Sequence, residues 1–394
     1  MKPAYYEFQN SAKILAGKYA LENIPTELEN LGCKSPILLT DNVLAKIGTM
    51  QTVLDALGAG GIVPAAVFTD IPADSSDQTV NTIAALYRKS GCDGIVAVGG
   101  GSVIDTAKGV RMLLSQDITD ILELMGCECI GRGRQIPFVI IPTTSGTGSE
   151  STLVAVIKNV EKQVKMEFIS YYLQPDAAVL DPRMTVSLPP RMTASTAMDA
   201  LCHAIEAYSC LQKNPLSDAY ASAAIKMICS NLYTAVKNGR DEEARMALAN
   251  GSLMAGAAFS NSMVGIVHAI GHALGGICGV PHAEAMTILL PYCLEYNMDK
   301  CEEDYAKLLL FITDEETYAS TSRQERASKT VEMIRRMTCR LHEMCGLPLT
   351  LQEVGVLEKD FEKVAQAAVN DGAMIVNPKK ADTADVISIL KRAW

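Results

Sequence analysis

Histidine is scarce in this chain and is concentrated in one region. The 394 residues contain five histidines, and four of them, His203, His268, His272 and His282, fall between positions 203 and 282. Asp199 precedes His203 by four residues, and His268 precedes His272 by the same interval, so each pair would share one face of a helix. A carboxylate and several imidazoles that converge from two helices and a following loop are typical ligands of a divalent metal. The spacing predicts a metal site, although a single histidine on an apolar helix is more often a core residue.

The donor types narrow the choice of metal. Oxygen and nitrogen donors without a thiolate suit Fe(II), and zinc is the alternative. Four protein ligands alone would complete a tetrahedral, structural zinc site, whereas a catalytic ion needs a further position. Fe(II) with five or six ligands, or zinc with an expanded shell, meets that need. A proton carrier is needed as well, so we expect one of the four histidines not to be a ligand, and the residues alone do not say which.

A second candidate site is a glycine-rich turn. Gly99, Gly100 and Gly101 follow an apolar run, and Ser102 and Asp105 lie in the helical stretch that comes next. Glycines allow close approach of the backbone to a ligand, and a helix N-terminus offers free N–H groups and a partial positive charge to a pyrophosphate. The spacing differs from the ordinary Rossmann fingerprint, and a tight turn that binds nothing is the alternative.

A second loop of small and hydroxylated residues also follows an apolar run. Its Thr143, Thr144 and Thr147 can donate hydrogen bonds to phosphate and ribose, and two such loops at strand ends predict a dinucleotide site. Asp41 ends an earlier apolar run, where a carboxylate would accept hydrogen bonds from ribose hydroxyls and repel a 2′-phosphate. That position favours NAD over NADP, and the alternative is that Asp41 only caps a turn or helix.

The elements that must position these residues change character about halfway along the chain. In the first half, short continuous apolar runs such as 94–98 and 138–142 alternate with helical stretches, which predicts buried parallel strands. After Pro189, apolar residues recur at helical spacing. We predict an α/β NAD-binding domain with a parallel sheet over residues 1–187 and an all-α, metal-binding catalytic domain over residues 188–394.

Composition excludes several classes of protein. Hydrophobic residues make up 48% of the chain and charged residues 20%, which is typical of globular proteins and not of disordered or fibrous ones. The formal net charge of −10 argues against nucleic acid and anionic membranes as partners. No apolar run approaches the roughly 20 residues of a membrane helix, and the N-terminus lacks the features of a secretory signal. We therefore expect a cytoplasmic protein.

The twelve cysteines are scattered, as expected of small buried apolar residues in a large cytosolic chain. The one close pair, Cys127 and Cys129, lacks the two-residue spacer of a zinc knuckle.

Several segments together resemble the iron-containing (group III) alcohol dehydrogenases. They are Gly99–Lys108, Pro142–Glu150, Leu180–Pro182, Thr196–Tyr208 and His268–Pro291. The resemblance implies an α/β domain and a helical domain in a dehydroquinate synthase-like architecture, with a metal in the cleft between them and a homodimer or higher homo-oligomer. It also implies hydride transfer that interconverts a small primary alcohol or diol with its aldehyde or ketone, with NAD as cofactor.

The resemblance also assigns roles to individual residues. The metal ligands would be Asp199, His203, His268 and His282. His272 would be the histidine near the nicotinamide and the substrate that is not a ligand, which suits it to carry the proton. The residues expected to contact the cofactor are Asp41, Gly100, Gly101, Ser102, Asp105, Thr143, Thr144, Thr147 and Lys165.

The chain departs from the family pattern at a few positions. Ala197 and Ala283 stand where the family commonly has glycine, and Leu153 stands where some members place an asparagine. None of these departures removes a metal ligand.

Three other functions remain as alternatives. One is oxidation of polyols by a glycerol dehydrogenase-like enzyme, and another is a dehydroquinate synthase-like lyase that uses NAD without net redox. The lyase would need basic residues around the ligands, and the stretch between 196 and 290 has few. The third is a metal store or sensor without enzymatic activity, for which two nucleotide-binding loops would serve no purpose.

Overall fold

The computed structural model describes residues 5–125, 130–162 and 164–394, and the pair Cys127 and Cys129 lies outside these ranges. The chain forms two compact units. One comprises Gln9–Ser187, and the other comprises Leu188–Trp394 together with the N-terminal segment that ends at Phe8.

The first unit combines a parallel sheet with helices. Its strands are β1 (Lys13–Ala16), β2 (Pro36–Leu39), β3 (Ala66–Phe68), β4 (Gly94–Gly99), β5 (Phe138–Pro142), β6 (Val154–Asn159), β7 (Val164–Ile169) and β8 (Ala177–Leu180). Its α-helices are α1 (Ile24–Asn30), α2 (Asn42–Lys46), α3 (Thr49–Ala59), α4 (Asp77–Lys89) and α5 (Gly101–Ser115). Short 3₁₀ helices span Ala20–Asn23, Ile121–Leu124, Ser149–Ser151, Tyr171–Leu173 and Pro182–Met184.

Six of the strands form one sheet in the order β1-β8-β5-β4-β2-β3, and all of its neighbouring pairs are parallel. Both faces of the central strands are buried. Along β4, for example, Ile95 and Ala97 pack into one apolar cluster, while Val96 and Val98 pack into another. This two-sided burial explains why these strands are continuous apolar runs in the sequence.

The register of the sheet brings the predicted cofactor loops to one edge. Gly99 at the end of β4 pairs with Pro142 at the end of β5, so the glycine-rich turn and the threonine loop leave the sheet side by side. Strand β2 lies on the other side of β4, and Asp41 follows it after one residue. Ligands of open α/β sheets bind outside the carboxyl ends of the strands.

A two-stranded antiparallel ribbon formed by β6 and β7 was not predicted from the sequence. Lys165 lies on β7, where it pairs with Lys158 of β6.

The second unit is helical throughout its described residues. Its α-helices are α6 (Pro190–Ser209), α7 (Pro215–Lys237), α8 (Glu242–Ser260), α9 (Ile266–Cys278), α10 (His282–Ile312), α11 (Glu315–Ser320), α12 (Arg326–Cys345), α13 (Phe361–Ala368) and α14 (Thr383–Ala393). Two 3₁₀ helices span Glu358–Asp360 and Gly372–Val376. The predicted fold class, a parallel α/β domain followed by an all-α domain, is confirmed.

Helix α6 is almost completely buried from Thr193 to Ser209, and the helices around it supply one apolar core. A long buried helix gives side chains on it fixed positions. Within the described ranges, no helix has both the length and the hydropathy of a membrane span.

Candidate metal centre and nucleotide-binding loops

Three helices of the second unit bring the candidate metal ligands together. Asp199 and His203 lie one turn apart on α6, His268 lies in the first turn of α9, and His282 is the first residue of α10. The sequence placed His282 in a loop, but Pro281 precedes it as the N-cap, so α10 begins at the histidine itself. Proline suits the start of a helix because the N–H that it lacks would have no intrahelical partner there and because its φ is fixed near the helical value.

The four side chains offer ligand atoms that all lie within 4.8 Å of one another. Nε2 of His282 lies 3.4 Å from Oδ1 of Asp199, and Nε2 of His268 lies 4.0 Å from the same oxygen. Atoms that bind one ion at about 2.1 Å lie roughly 3–4 Å apart, so this spacing fits a single cation. The side chain of His282 is 43% exposed, whereas that of Asp199 is 2% exposed, so the cluster is open to solvent at one ligand.

Three buried polar atoms of this cluster make no hydrogen bond of normal geometry within the described part of the chain. Oδ1 of Asp199, Nδ1 of His203 and Nε2 of His268 are buried and have no hydrogen-bond partner among the described residues. Buried polar atoms without partners are rare because each one costs free energy of folding. A cation at this point would satisfy Asp199 and His268 together, so the residues present fit a bound metal.

The electrostatics of the cluster also suit a cation. Burial lowers the pKa of His203 to about 3 and holds the pKa of His268 well below its usual value, so both imidazoles are neutral at pH 7. Burial acts to raise the pKa of Asp199, but the imidazoles of His203 and His282 outweigh it and keep that pKa well below its ordinary value. A carboxylate with neutral imidazoles is the protonation state that binds a metal.

A carboxylate behind the cluster orients one of the histidines. Oε2 of Glu206 lies 2.5 Å from Nδ1 of His268, which leaves Nε2 of that ring facing Asp199. Glu206 lies one turn beyond His203 on α6, but its spacing alone gave it no role.

The fourth histidine of the region has a different partner. His272 lies one turn after His268 on α9, and its Nδ1 lies 3.0 Å from Oδ2 of Asp371. Burial acts to raise the pKa of Asp371, but the hydrogen bond with His272 lowers it overall. The two residues are 99 positions apart, so no local pattern in the sequence could have paired them.

An aromatic ring borders the cluster. Phe259, on the last turn of α8, stacks on His203 with ring centroids 4.3 Å apart and an interplanar angle of 16°. Phe259 also packs against the small apolar cluster of Val264, Ala269 and Ala373. The described residues near the imidazoles therefore include an apolar surface as well as polar ligands.

The glycine-rich turn and the threonine loop of the first unit are in contact. A Cβ atom on Gly100 would lie 3.2 Å from Cγ2 of Thr144, and one on Gly101 would lie 2.9 Å from Cγ2 of Thr147. A side chain at Gly101 would force Thr147 to move, and one at Gly100 would make a tight contact with Thr144, so glycine at these positions suits the close approach of the two loops. The backbone N–H of Thr143 donates to the carbonyl oxygen of Gly99 at 3.0 Å and ties the loops together.

Two predicted cofactor residues of this region also make structural hydrogen bonds. The carboxylate of Asp105 accepts from Oγ of Ser149 at 2.8 Å and from the backbone N–H of Val156 at 3.1 Å. The Ser102 hydroxyl donates to the carbonyl oxygen of Ala73. These bonds fix the first turns of α5 against strand β6 and the neighbouring segments.

The last two predicted cofactor residues lie nearer the surface. Oδ1 of Asp41 accepts from the backbone N–H groups of Val43 and Leu44 at 2.8 and 2.9 Å, so Asp41 is the N-cap of α2. The exposed Lys165 pairs with Asp74 at 3.2 Å.

Comparison with known proteins identifies the family. Residues 11–182 match the family model described as iron-containing alcohol dehydrogenase, and residues 193–394 match that described as Fe-containing alcohol dehydrogenase family, C-terminal. The chain is 35% identical over 380 residues to the 1,3-propanediol dehydrogenase of Klebsiella pneumoniae, covering 96% of each chain. It is 34% identical over 378 residues to the NAD-dependent methanol dehydrogenase of Bacillus methanolicus, covering 96% of this chain and 97% of that one.

The fold is similar as well. A crystal structure of 1,3-propanediol oxidoreductase superposes with a TM-score of 0.93 at 34% identity, covering 99% of this chain and 100% of that one. These matches do not favour the glycerol dehydrogenase-like or dehydroquinate synthase-like alternatives. Because both halves match the family models and the relatives align over nearly the whole chain, this protein belongs to the iron-containing alcohol dehydrogenases and is an oxidoreductase.

Proposed function

We propose that this enzyme interconverts a small primary alcohol or diol and its aldehyde or ketone, with NAD as the hydride carrier and one Fe(II) ion as the metal. Zinc is the alternative ion. The observation that carries the proposal is the convergence of one carboxylate and three imidazoles within 4.8 Å. The names of two relatives, a 1,3-propanediol dehydrogenase and an NAD-dependent methanol dehydrogenase, support the substrate class and the cofactor.

The unit before about residue 187 would bind the cofactor, and the unit after it would bind the metal. In the first, Gly100 and Gly101 would admit the pyrophosphate, and Asp41 would accept hydrogen bonds from the adenosine ribose. The remaining residues proposed to contact NAD are Ser102, Asp105, Thr143, Thr144, Thr147 and Lys165. In the second, Asp199, His203, His268 and His282 would hold the metal.

The metal, when bound, supplies Lewis acidity that lowers the pKa of an alcohol hydroxyl, and NAD supplies the hydride acceptor. The protein's own task is to bind, orient and move a proton. His272 suits that task because Nδ1–H donated to Asp371 fixes the tautomer in which Nε2 is the acceptor nitrogen. Phe259 would place an alkyl group beside the site.

The homodimeric or higher assembly and the cytoplasmic location that the composition and the family resemblance imply remain predictions. So does the exclusion of nucleic acid as a partner.

Single histidine substitutions test the division of roles. His268→Ala removes a proposed ligand, so we expect it to lose stoichiometric metal. His272→Ala removes the proton carrier, so we expect metal content near that of wild type with turnover reduced about 100-fold or more. The measurements are metal analysis after anaerobic purification and NADH-coupled rates with short alcohols and aldehydes.

His342→Ala is the matched control because His342 is neither a proposed ligand nor the proposed proton carrier. It lies on α12, and its Nδ1 contacts the carbonyl oxygen of Leu347 at 2.9 Å. It should retain both metal and turnover. Loss of metal from His272→Ala and His268→Ala alike would show that the proposed roles are wrong.

A further inference from the structure

We propose that Glu206 is the positioning residue of the metal centre, and that a water molecule bound to Tyr305 in the cavity beside it completes its hydrogen bonding. The inference rests on the proposed metal site and assigns a residue and a water site beyond the four ligands. It follows from what each oxygen of the Glu206 carboxylate contacts.

The two oxygens of Glu206 have different partners on α9. Oε2 contacts Nδ1 of His268 at 2.5 Å, and Oε1 accepts from the backbone N–H of Val267 at 2.8 Å. One contact fixes the rotation of the imidazole, and the other fixes the backbone that carries it. A carboxylate can accept both hydrogen bonds, whereas the amide of glutamine has a single acceptor oxygen and would present N–H to one of the two donors.

The approach of the two helices depends on a glycine. Gly265 is the N-cap of α9, and a Cβ atom there would lie 3.1 Å from Oε1 of Glu206 and 2.8 Å from Oδ1 of Asn377. Asn377 accepts from the backbone N–H of Ile266 at 3.2 Å. Its side chain also exchanges two hydrogen bonds of 2.9 Å with Asn297 on α10. The first turn of α9 is therefore held by side chains from outside that helix.

A small cavity with both polar and apolar lining residues lies beside Glu206. Its lining includes Glu206, Ser209, Asn297, Tyr305 and Asn377, and it has room for about one water molecule. Tyr305 is fully buried on α10, and its hydroxyl lies near Cys301 and Ser209 but makes no hydrogen bond of normal geometry within the described part of the chain. A buried hydroxyl without a partner costs free energy of folding, and a water bound between polar groups removes that cost.

Together these groups would form one continuous support. The Tyr305 hydroxyl would hold Glu206 through the cavity water, Glu206 contacts His268, and Nε2 of His268 faces Asp199, where the metal would bind. Outer hydrogen bonds of this kind orient a ligand before the ion arrives and increase its affinity. The affinity for metal should consequently depend on residues that never touch the ion.

The test is the affinity of metal-free protein for Zn²⁺, measured by competition with a chromophoric chelator. We expect Glu206→Gln to weaken binding by about tenfold to 100-fold, and Tyr305→Phe, which removes one hydroxyl, to weaken it by about threefold. Glu295→Gln is the matched control: Glu295 lies on the same unit and pairs with Arg335 and Arg392 near the surface. It should bind Zn²⁺ like wild type.

The outcomes separate this inference from the proposed function. If wild type binds one Zn²⁺ and Glu206→Gln and Tyr305→Phe bind it equally tightly, the positioning role is overturned while the metal site stands. If wild type binds no Zn²⁺, both are overturned. Thermal unfolding of the metal-free proteins shows whether each variant folds, and Tyr305→Phe decides the question if Glu206→Gln does not.

Discussion

The carboxylate of Asp41 performs a structural task that does not depend on its negative charge. It accepts hydrogen bonds from Val43 and Leu44 and caps α2, and asparagine caps helices equally well. Discrimination against a 2′-phosphate, in contrast, depends on charge. One substitution can therefore separate the capping role of Asp41 from its proposed role in cofactor choice.

We expect Asp41→Asn to leave the free energy of unfolding within about 0.5 kcal/mol of wild type and to narrow the preference for NADH over NADPH. Asp41→Ala should lower the free energy of unfolding by about 1 kcal/mol, because this substitution also removes the helix cap. Urea unfolding and fluorescence titrations with both cofactors measure these effects. An unchanged ratio of the two affinities in Asp41→Asn would contradict a role for Asp41 in cofactor choice.

The sequence could predict single residues where a local interval carries the information. Asp199, His203, His268 and His272 were singled out because two intervals of four residues share a helix face, and His282 because imidazole is rare elsewhere in the chain. Only the family resemblance separated His272 from the candidate ligands. Asp371 was missed, since its contact with His272 spans 99 positions and an isolated aspartate has no pattern. The role of Glu206 was missed because it depends on the crossing of α6 and α9, which spacing does not specify.

At the scale of elements, the glycine-rich turn and the threonine loop act as one structure. They leave adjacent parallel strands and touch where Gly101 faces Thr147. A side chain at Gly101 would have to displace the methyl group of Thr147, although not its hydroxyl, which lies 3.5 Å from the position of that Cβ.

Gly101→Ala should therefore weaken NADH binding by about tenfold, since overpacking of this kind costs about 1–3 kcal/mol. The double variant Gly101→Ala with Thr147→Ser removes the displaced methyl group and keeps the hydroxyl, so most of the affinity should return. Thr147→Ser alone is the control and should bind like wild type. Fluorescence titration with NADH measures all three, and failure of the double variant to recover would contradict the close contact.

Strands could be predicted from the sequence where both of their faces are buried, because such strands consist of consecutive apolar residues. Strands β4 and β5 are buried along their whole length and appear as such runs in the sequence. The ribbon of β6 and β7 was not recognised, because its burial alternates and Glu167 and lysines interrupt it. The order of the strands in the sheet could not be predicted from the sequence either, since it depends on contacts between distant segments.

At the scale of the whole molecule, the candidate ligands tie together helices that are far apart in the chain. Asp199 on α6 and His282 on α10 are separated by 83 positions. Bringing them together in the unfolded chain would cost the conformational entropy of closing a long loop. An ion that binds only the folded state stabilises it by mass action.

We expect Fe(II) or Zn²⁺ at 100 times its dissociation constant to stabilise the protein by about 2.7 kcal/mol. Hydrogen exchange followed by mass spectrometry should show the added protection in α6, α9 and α10, with β4 and β5 of the other unit as the internal control. Uniform protection of both units, or protection of the sheet alone, would place the ion elsewhere.

The exposure of His282 has a practical consequence for anyone who isolates this enzyme. A proposed ligand that water can reach would allow a competing chelator, such as a citrate buffer or the chelating groups of an immobilised-metal resin, to remove the ion from that side. The metal found in a preparation would then depend on the purification conditions as much as on the metal preference of the protein. We expect apo enzyme reloaded under argon to give a more faithful account of which ion it selects than enzyme analysed directly from the column.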